Sequence, residues 1–268
     1  MTHTQFLKRA LGCNIRTSNI MTRGEVGVRP LLTDINFKVL CYIKNIVERK
    51  EDIVYSSLEF ERGNQTKPNF YLYLNKFDLP LSENNLNENK HKLKIKCQDY
   101  YDRIWLSNIM ESPKASSYCK FKYSVYLEKY LYKVKNFRHR IFLTRLRLSN
   151  HSLLIETGRH LRPKLEREHR KCFICKDEIE DELHFVTKCP LYKSERKALY
   201  VTVQHNCQNF ELLKTNEQKF IFLMTNEDEN VMANLAKFTY KSLQIRDNVV
   251  NIKNIDQCFC AKILVNPI

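Results

Sequence analysis

Residues 172–189, which read CFICKDEIEDELHFVTKC, constrain what this chain can fold into more than any other stretch. Three cysteines and one histidine follow one another in the spacing C-x2-C-x8-H-x4-C. Two thiolates separated by two residues can grip one ion from a tight turn, and structural zinc takes four N or S ligands in a tetrahedron. The sequence therefore predicts one Zn²⁺ ion bound by Cys172, Cys175, His184 and Cys189.

The gap between the last two predicted ligands requires the chain to leave the helical path. His184 and Cys189 lie five residues apart, which is about 140° around an ideal helix and would splay them. Pro190 disfavours a helical conformation at Cys189, so that residue can turn back toward the ion. With four protein ligands no position is left for water, and the predicted site is structural and not catalytic.

Other interpretations of this stretch stay open on sequence grounds. The thiols could be unrelated neighbours, and His169 could compete as a ligand, although we expect it to face solvent or nucleic acid. We interpret the acidic run at 176–182 as a solvated loop between the two ligand pairs.

The remaining pattern predicts a mainly α protein, a helical bundle with a small CCHC zinc knuckle and C-terminal helices. Only 5 glycines and 7 prolines occur in 268 residues, and few tight turns disfavour an all-β fold. Apolar residues recur at helical spacing in 29–50, where Leu32, Ile35, Val39, Ile43 and Ile46 form one stripe. Further helices are predicted over 97–113, 190–203 and 229–247, and over 117–151 as one helix or as two with a break near Asn136. Trp105 is expected in the core.

Five regions follow from this pass along the chain. They are a helical region at 1–112 with an Asn-rich loop near 78–92, a basic helical segment at 113–171, the knuckle at 172–189, C-terminal helices at 190–247 and an irregular tail at 248–268.

Positive charge is concentrated just before the cysteines. The chain carries a net charge of +15. Residues 120–171 contain 15 Lys and Arg against 4 Asp and Glu, whereas 172–189 contain 2 against 5. A local basic block of this kind favours a nucleic-acid partner, with a solvated face or an acidic protein as the alternatives. The predicted contacts are Lys133, Lys135, Arg138, Arg140, Arg145, Arg147, Arg159 and Arg162. Tyr126, Tyr130 and Tyr132 could stack on bases or belong to the core.

Cysteine usage and hydropathy bear on location. The first residues have no long apolar segment of a secretory signal, and no run of eighteen apolar residues occurs. We therefore expect an intracellular protein of the nucleus or cytoplasm with reduced thiols and no membrane partner. Oligomeric state is not predicted.

Residues 140–199 resemble the segment that ends the reverse transcriptases of non-LTR (LINE-type) retrotransposons. The resemblance rests on LRLSN at 146–150, IETGR at 155–159, the Cys172/Cys175 pair, EDELHF at 180–185 and CPLY at 189–192. Weaker similarity extends over about 6–247. It implies a thumb-like helical region before a zinc knuckle that helps hold RNA or DNA, with the same four zinc ligands.

One departure from that family decides the expected activity. Polymerases of this kind hold two metal ions on paired aspartates, and this chain contains no Asp-Asp pair. We therefore predict a non-catalytic nucleic-acid-binding remnant with no small-molecule substrate. The alternatives are a decayed fragment or a protein-interaction scaffold with a structural zinc, and, with least support, a partial enzyme that works with a separate palm.

Overall fold

Helices make up the regular structure of this chain. The computed structural model describes residues 2–49, 53, 56, 74–79 and 89–263, with the backbone alone at 47 and 251–263. Over these residues there is no β-strand, and only two isolated bridges occur, Val26 with Leu127 and Lys171 with Ile179. The predicted mainly α fold class is confirmed.

Eleven α-helices have defined bounds among the described residues, and two of them, α3 and α11, run up to the last described residue of their stretch. They are α1 (His3–Ala10), α2 (Asn19–Glu25), α3 (Leu31–Arg49), α4 (Lys90–Glu111), α5 (Tyr130–Lys133), α6 (Phe137–Arg147), α7 (Leu154–Thr157), α8 (Glu182–Thr187), α9 (Lys193–Asn206), α10 (Asn216–Thr225) and α11 (Glu229–Ile263). Short 3-10 turns lie at Pro113–Ala115, Tyr118–Lys120, Arg167–His169, Pro190–Tyr192 and Gln208–Leu212.

Helix α3 confirms the predicted helix at 29–50, but the start of the predicted apolar stripe lies in solvent. Leu32, Ile35 and Val39 are 52, 47 and 37% exposed. In this part of α3 the buried residues include Asn36 and Leu40, each one residue after a predicted stripe position. Asn36 faces α4, where its Nδ2 donates to the Tyr101 hydroxyl at 2.7 Å.

Helix α4 begins earlier than the sequence pattern predicted. Asn89 caps it by accepting a hydrogen bond from the His91 N–H at 3.2 Å, so residues 90–92 are helical and do not belong to the predicted Asn-rich loop. The rest of that loop, 80–88, lies outside the described residues. Trp105 is buried as predicted, with its Nε1 donating to the Ile20 carbonyl at 2.9 Å.

The predicted helix over 117–151 is wrong in its first half. Asn136 caps α6 by accepting from the His139 N–H at 3.1 Å, so the break predicted there is confirmed. Before α5, the Glu128 N–H donates instead to the Glu25 carbonyl at 3.0 Å, beside the Val26–Leu127 bridge. A backbone N–H makes one strong hydrogen bond. The Glu128 N–H uses that bond on the last residue of α2, so it does not close a helical turn with the preceding segment.

Helix α11 corrects the predicted irregular tail over 248–263, whereas 264–268 lie outside the described residues. The helix continues without interruption to Ile263. No glycine or proline occurs between 229 and 263, so the backbone meets no residue that would end a helix there.

One main core joins regions that the sequence pattern had separated. Leu11 and Trp105 from the N-terminal region share a cluster of buried apolar residues with Leu146, Phe185 and Leu235. A smaller cluster lies between α3 and α4 and includes Leu40, Phe77 and Leu93. The predicted knuckle is therefore packed into the body of the protein.

Candidate functional site

Cys172 and Cys175 lie in a tight turn that is closed by backbone hydrogen bonds. The Cys172 N–H donates to the Glu178 carbonyl, and the Lys176 N–H donates to the Cys172 carbonyl, both at 2.8 Å. Lys176 has φ 60°, a left-handed conformation that reverses the chain. The turn keeps both thiols of the C-x2-C motif next to the start of α8.

Helix α8 carries His184 and ends before Cys189, as predicted. Asp181 caps the helix, since its carboxylate accepts from the His184 N–H at 2.8 Å. The helix ends at Thr187, and Cys189 has the extended ψ of 124° that is typical of a residue before proline. The Cys189 N–H still donates to the His184 carbonyl at 2.9 Å, so the backbone turns at the end of α8.

The donor atoms of Cys172, Cys175 and His184 form one cluster. All three atoms lie within 4.8 Å of one another, and the Cys175 Sγ is 3.2 Å from the His184 Nε2. This group could hold a metal ion. The Cys189 Sγ lies 3.8 Å from the Cys172 Sγ, so the fourth predicted ligand adjoins the group.

Hydrogen bonds inside the cluster favour a thiolate at Cys172. The pKa of Cys172 is lowered because its sulfur accepts hydrogen bonds from Cys189 and also from His184. The pKa of Cys189 is raised, chiefly because it donates to Cys172. Metal ions bind the thiolate form of cysteine, so the lowered pKa of Cys172 favours metal binding at that residue.

Glu178 orients the histidine of the cluster. Its Oε2 lies 3.3 Å from the His184 Nδ1 and accepts from the Lys188 Nζ at 2.7 Å. The carboxylate contacts Nδ1, and the other ring nitrogen, Nε2, lies next to the Cys175 sulfur. Histidines that bind a metal through one ring nitrogen usually contact a carboxylate with the other. The sequence pattern did not single out Glu178.

The interpretation of the acidic run at 176–182 as a solvated loop is confirmed for residues 176–178, which are exposed, and is wrong for the second half of the run. Glu180 and Glu182 are buried. Glu182 accepts from Ser117 at 2.7 Å and from Ser149 at 2.8 Å, and its Oε1 lies 2.9 Å from the His151 Nε2. The second half of the run therefore fastens the cysteine-bearing turn to the segments before it.

Buried arginines hold the same turn from the opposite side. Arg246 of α11 makes two 2.7 Å hydrogen bonds to the Glu180 carboxylate. Arg196 of α9 donates to the carbonyls of Val186 at 2.9 Å and Cys189 at 2.5 Å. Because fork-shaped guanidinium groups bind two acceptors at once, they fix the end of α8 where the chain turns toward the cluster.

Arg147 is not available for a nucleic-acid contact, which corrects that prediction. It is 4% exposed and forms ion pairs with Glu25 and, at 2.9 Å, with Glu128. Its Nη1 also donates to the Met224 carbonyl at 2.6 Å. Lys122, whose Nζ lies 2.5 Å from Glu128, completes a buried network of two cations and two carboxylates. From sequence alone, Arg147 and Lys122 are part of the basic block, whereas in the fold both are buried and paired with carboxylates.

Three further predicted contacts are half-buried and already donate to backbone carbonyls. The pairs are Arg140 with Val134 at 2.9 Å, Arg145 with Gly12 at 2.8 Å and Arg159 with Pro113 at 2.9 Å. Because their guanidinium groups are already hydrogen-bonded within the protein, these three arginines are weaker candidates for contacts to phosphate groups than the sequence suggested.

The other four predicted contacts are exposed. Lys133 and Lys135 lie 3.7 and 3.9 Å from Glu229. Arg138 and Arg162 have no ion-pair or hydrogen-bond partner among the residues that the structure describes. Arg138 lies on α6, whereas Arg162 lies in the loop after α7.

Packing of α6 on α11 adds cations that the sequence pattern missed. The pKa of His139 is lowered by partial burial and then by the positive charges of Lys237 and Lys241 of α11. The Tyr240 ring lies 5.0 Å from the rings of both His139 and Phe142. Lys237 and Lys241 are about a hundred residues away in the sequence, so no local pattern could have joined them to α6.

The tyrosines divide between core and surface. Tyr130 is buried, and its hydroxyl donates to Glu25 at 2.7 Å, whereas Tyr126 and Tyr132 are exposed. Phe137, at the start of α6, is exposed as well, so Tyr132 and Phe137 flank the lysines that precede α6.

Comparison of the chain with protein-family models, curated proteins and solved structures gives no match. The resemblance to reverse transcriptases therefore stays a prediction. A search of the described residues for a helix long and apolar enough to cross a membrane finds none.

Proposed function

We propose that this protein binds nucleic acid through the surface that α6 and α11 share, and that one zinc ion stabilises the fold that presents it. We name this surface, formed by Arg138, His139, Lys237 and Lys241, the basic ridge. The proposal keeps the nucleic-acid function predicted from sequence and moves its centre from the 133–162 segment to these two helices.

The observation that carries the proposal is the absence of acidic residues from two helices that pack together. Neither α6 nor residues 230–246 of α11 contain an Asp or Glu. Arg138, Lys237 and Lys241 are exposed and have no ion-pair partner among the described residues. Unpaired cations on one surface attract phosphate groups, because binding releases the counterions that the nucleic acid had condensed.

Exposed aromatic rings just before and at the start of α6 favour a single strand over a duplex. Tyr132 and Phe137 are exposed next to Lys133 and Lys135. Bases of a single strand stack on such rings, which adds about 1–3 kcal/mol per base and needs no particular sequence.

Zinc is the metal that best fits the cysteine cluster. At the Zn–S length of about 2.3 Å, two thiolates of a tetrahedral site lie about 3.8 Å apart, and Cys172 and Cys189 have that separation of 3.8 Å. Three thiols and one imidazole also favour zinc over magnesium or calcium, which prefer oxygen ligands. Four protein ligands, with Cys189 as the fourth, make the zinc structural, and the chain is proposed to be non-catalytic.

A salt titration tests the nucleic-acid function. We expect affinity for a single strand to fall steeply with salt, and Lys237→Ala/Lys241→Ala to weaken the slope of log affinity against log salt by about 1.4 for two lost phosphate contacts. Lys214→Ala, which removes an exposed lysine outside the ridge, should leave the slope unchanged. An affinity that does not depend on salt in the unmutated protein would rule the proposal out.

Elemental analysis tests the zinc. We expect about one zinc ion per purified chain, and we expect the Cys172→Ser variant to contain no zinc. Protein that contains no metal and melts at the same temperature with and without a chelator would contradict a structural zinc.

A protein-interaction scaffold is the second candidate, and the exposed face of α3 favours it. Leu31, Leu32, Ile35, Val39 and Tyr42 present a continuous apolar surface on one helix, and such patches mark interaction sites or unstable fragments. Light scattering of the protein with Leu32→Ser/Ile35→Ser against the unmutated protein tests it: self-association that the substitutions abolish supports this function, and a monomer in both cases argues against it.

A further inference from the structure

A groove of about 210 Å³ lies between α9 and α11, beside the basic ridge. Its floor contains Leu199 and Phe238, which are 2 and 3% exposed. Ser194 and Glu195 line it from α9, and Asn234, Lys237 and Lys241 line it from α11. The two ridge lysines thus belong to the groove as well as to the proposed phosphate-binding surface.

Opposite charges share this groove without meeting. Glu195 has no hydrogen-bond or ion-pair partner among the described residues, and neither have Lys237 and Lys241. Asn234 uses its Nδ2 to donate to the Asn230 carbonyl at 2.9 Å, which leaves its Oδ1 as an acceptor. The α9 wall therefore offers the Glu195 carboxylate, and the α11 wall offers two cations together with the Asn234 acceptor.

A ligand that fits this arrangement has a flat apolar body, an edge of hydrogen-bond donors and a nearby negative charge. Nucleotides supply the body and the charge. Among the common bases only guanine has two adjacent donors, N1–H and N2–H₂, on its Watson–Crick edge, and a carboxylate accepts both at once. Adenine, cytosine and uracil each place an acceptor beside their donor.

We propose that the groove between α9 and α11 binds an unpaired guanine of a bound single strand. Glu195 accepts from the N1–H and N2–H₂ groups, the base lies against the exposed Ala198, and Lys237 and Lys241 hold the adjoining phosphates. This inference rests on the proposed nucleic-acid function and adds a base preference to it.

Fluorescence anisotropy with labelled strands of about 12 nucleotides tests this proposal. The strands carry only uracil, uracil with one central guanine, or uracil with one central inosine, which lacks the N2 amino group. We expect the guanine strand to bind about tenfold more tightly than the other two, as for one bidentate base contact. Deoxyribose versions of the same strands determine whether the preference holds for RNA, for DNA or for both.

Two protein variants identify the carboxylate responsible. Glu195→Gln should remove the guanine preference and keep the salt dependence, because the amide places a donor against the base edge. Glu211→Gln, the same change on an exposed residue outside the groove, should keep the preference.

The outcomes separate this inference from the function on which it rests. Equal affinity for the guanine and uracil strands, or a guanine preference that survives Glu195→Gln, overturns the guanine site and leaves the nucleic-acid function standing. Failure of every strand to bind overturns the proposed function itself.

Discussion

At the scale of single residues, the fold separates charges that the sequence makes look alike. Arg138 and Arg147 lie on the same helix, nine residues apart. The first is exposed without a partner among the described residues, and the second is enclosed by Glu25 and Glu128. A buried ion pair adds little stability compared with apolar residues, but removal of one partner leaves the other charge buried and alone.

Replacement of Arg147 by methionine is therefore expected to lower the free energy of unfolding by about 3–5 kcal/mol, because Glu25 and Glu128 lose their common cation. Arg138→Met, the same change on the same helix, should alter stability by less than about 0.5 kcal/mol. Urea denaturation of both variants measures the difference. Equal stabilities would show that the buried network is not intact in solution.

The histidine orientation by Glu178 gives a second residue-scale prediction. Glu178→Gln should weaken metal binding by about 10- to 100-fold, as loss of such an outer contact does in other metal sites. Asp177→Asn removes an exposed neighbouring carboxylate and should have little effect, which distinguishes the specific contact from a general loss of negative charge. Competition with a coloured chelator measures both affinities, and equal weakening by the two variants would refute the role of Glu178.

At the scale of elements, close approach between helices overrides local preference. Gly24 lies within α2, where alanine would favour the helix by up to about 1 kcal/mol. A Cβ at this position would meet the Trp105 ring of α4 at 2.4 Å and the Tyr118 hydroxyl at 3.0 Å. The absent side chain lets α2 pack against α4 and the following segment.

Gly24→Ala is accordingly expected to destabilise the protein, since overpacking costs about 1–3 kcal/mol and outweighs the gain in helix propensity. Combining it with Trp105→Phe should cost less than the sum of the two single changes, because the smaller ring makes room for the methyl group. Thermal melts of the three variants test this. Additive effects would mean that the helices do not approach as closely as the structure has them.

At the scale of the whole molecule, the cluster of cysteines and His184 belongs to the main core. Cys172 and Cys189 share that core with Trp105, the only tryptophan. The cluster is also bound to α11 through Glu180 and Arg246. Loss of a metal from such a site should affect the whole fold, since binding free energy is spent on folding.

Chelation of the proposed zinc is expected to shift the Trp105 emission to longer wavelength as the core loosens, and excess zinc should reverse the shift. Titration with a chelator, followed by tryptophan fluorescence and by far-UV circular dichroism, measures the response. A protein that loses its metal with unchanged Trp105 emission would have a cluster that stabilises only its own turn.

The sequence alone determined the features that depend on neighbours along the chain. The spacing of Cys172, Cys175, His184 and Cys189, the helix stop before Pro190, the cap at Asn136 and the mainly α class are local properties of the backbone and its side chains. Only the tertiary structure decided which face of α3 is buried, which arginines are internal and which distant lysines join α6. Those outcomes depend on contacts between segments far apart in the sequence: Glu25 reaches Arg147, and Tyr240 of α11 contacts the His139 ring of α6, because packing of helices brings them together.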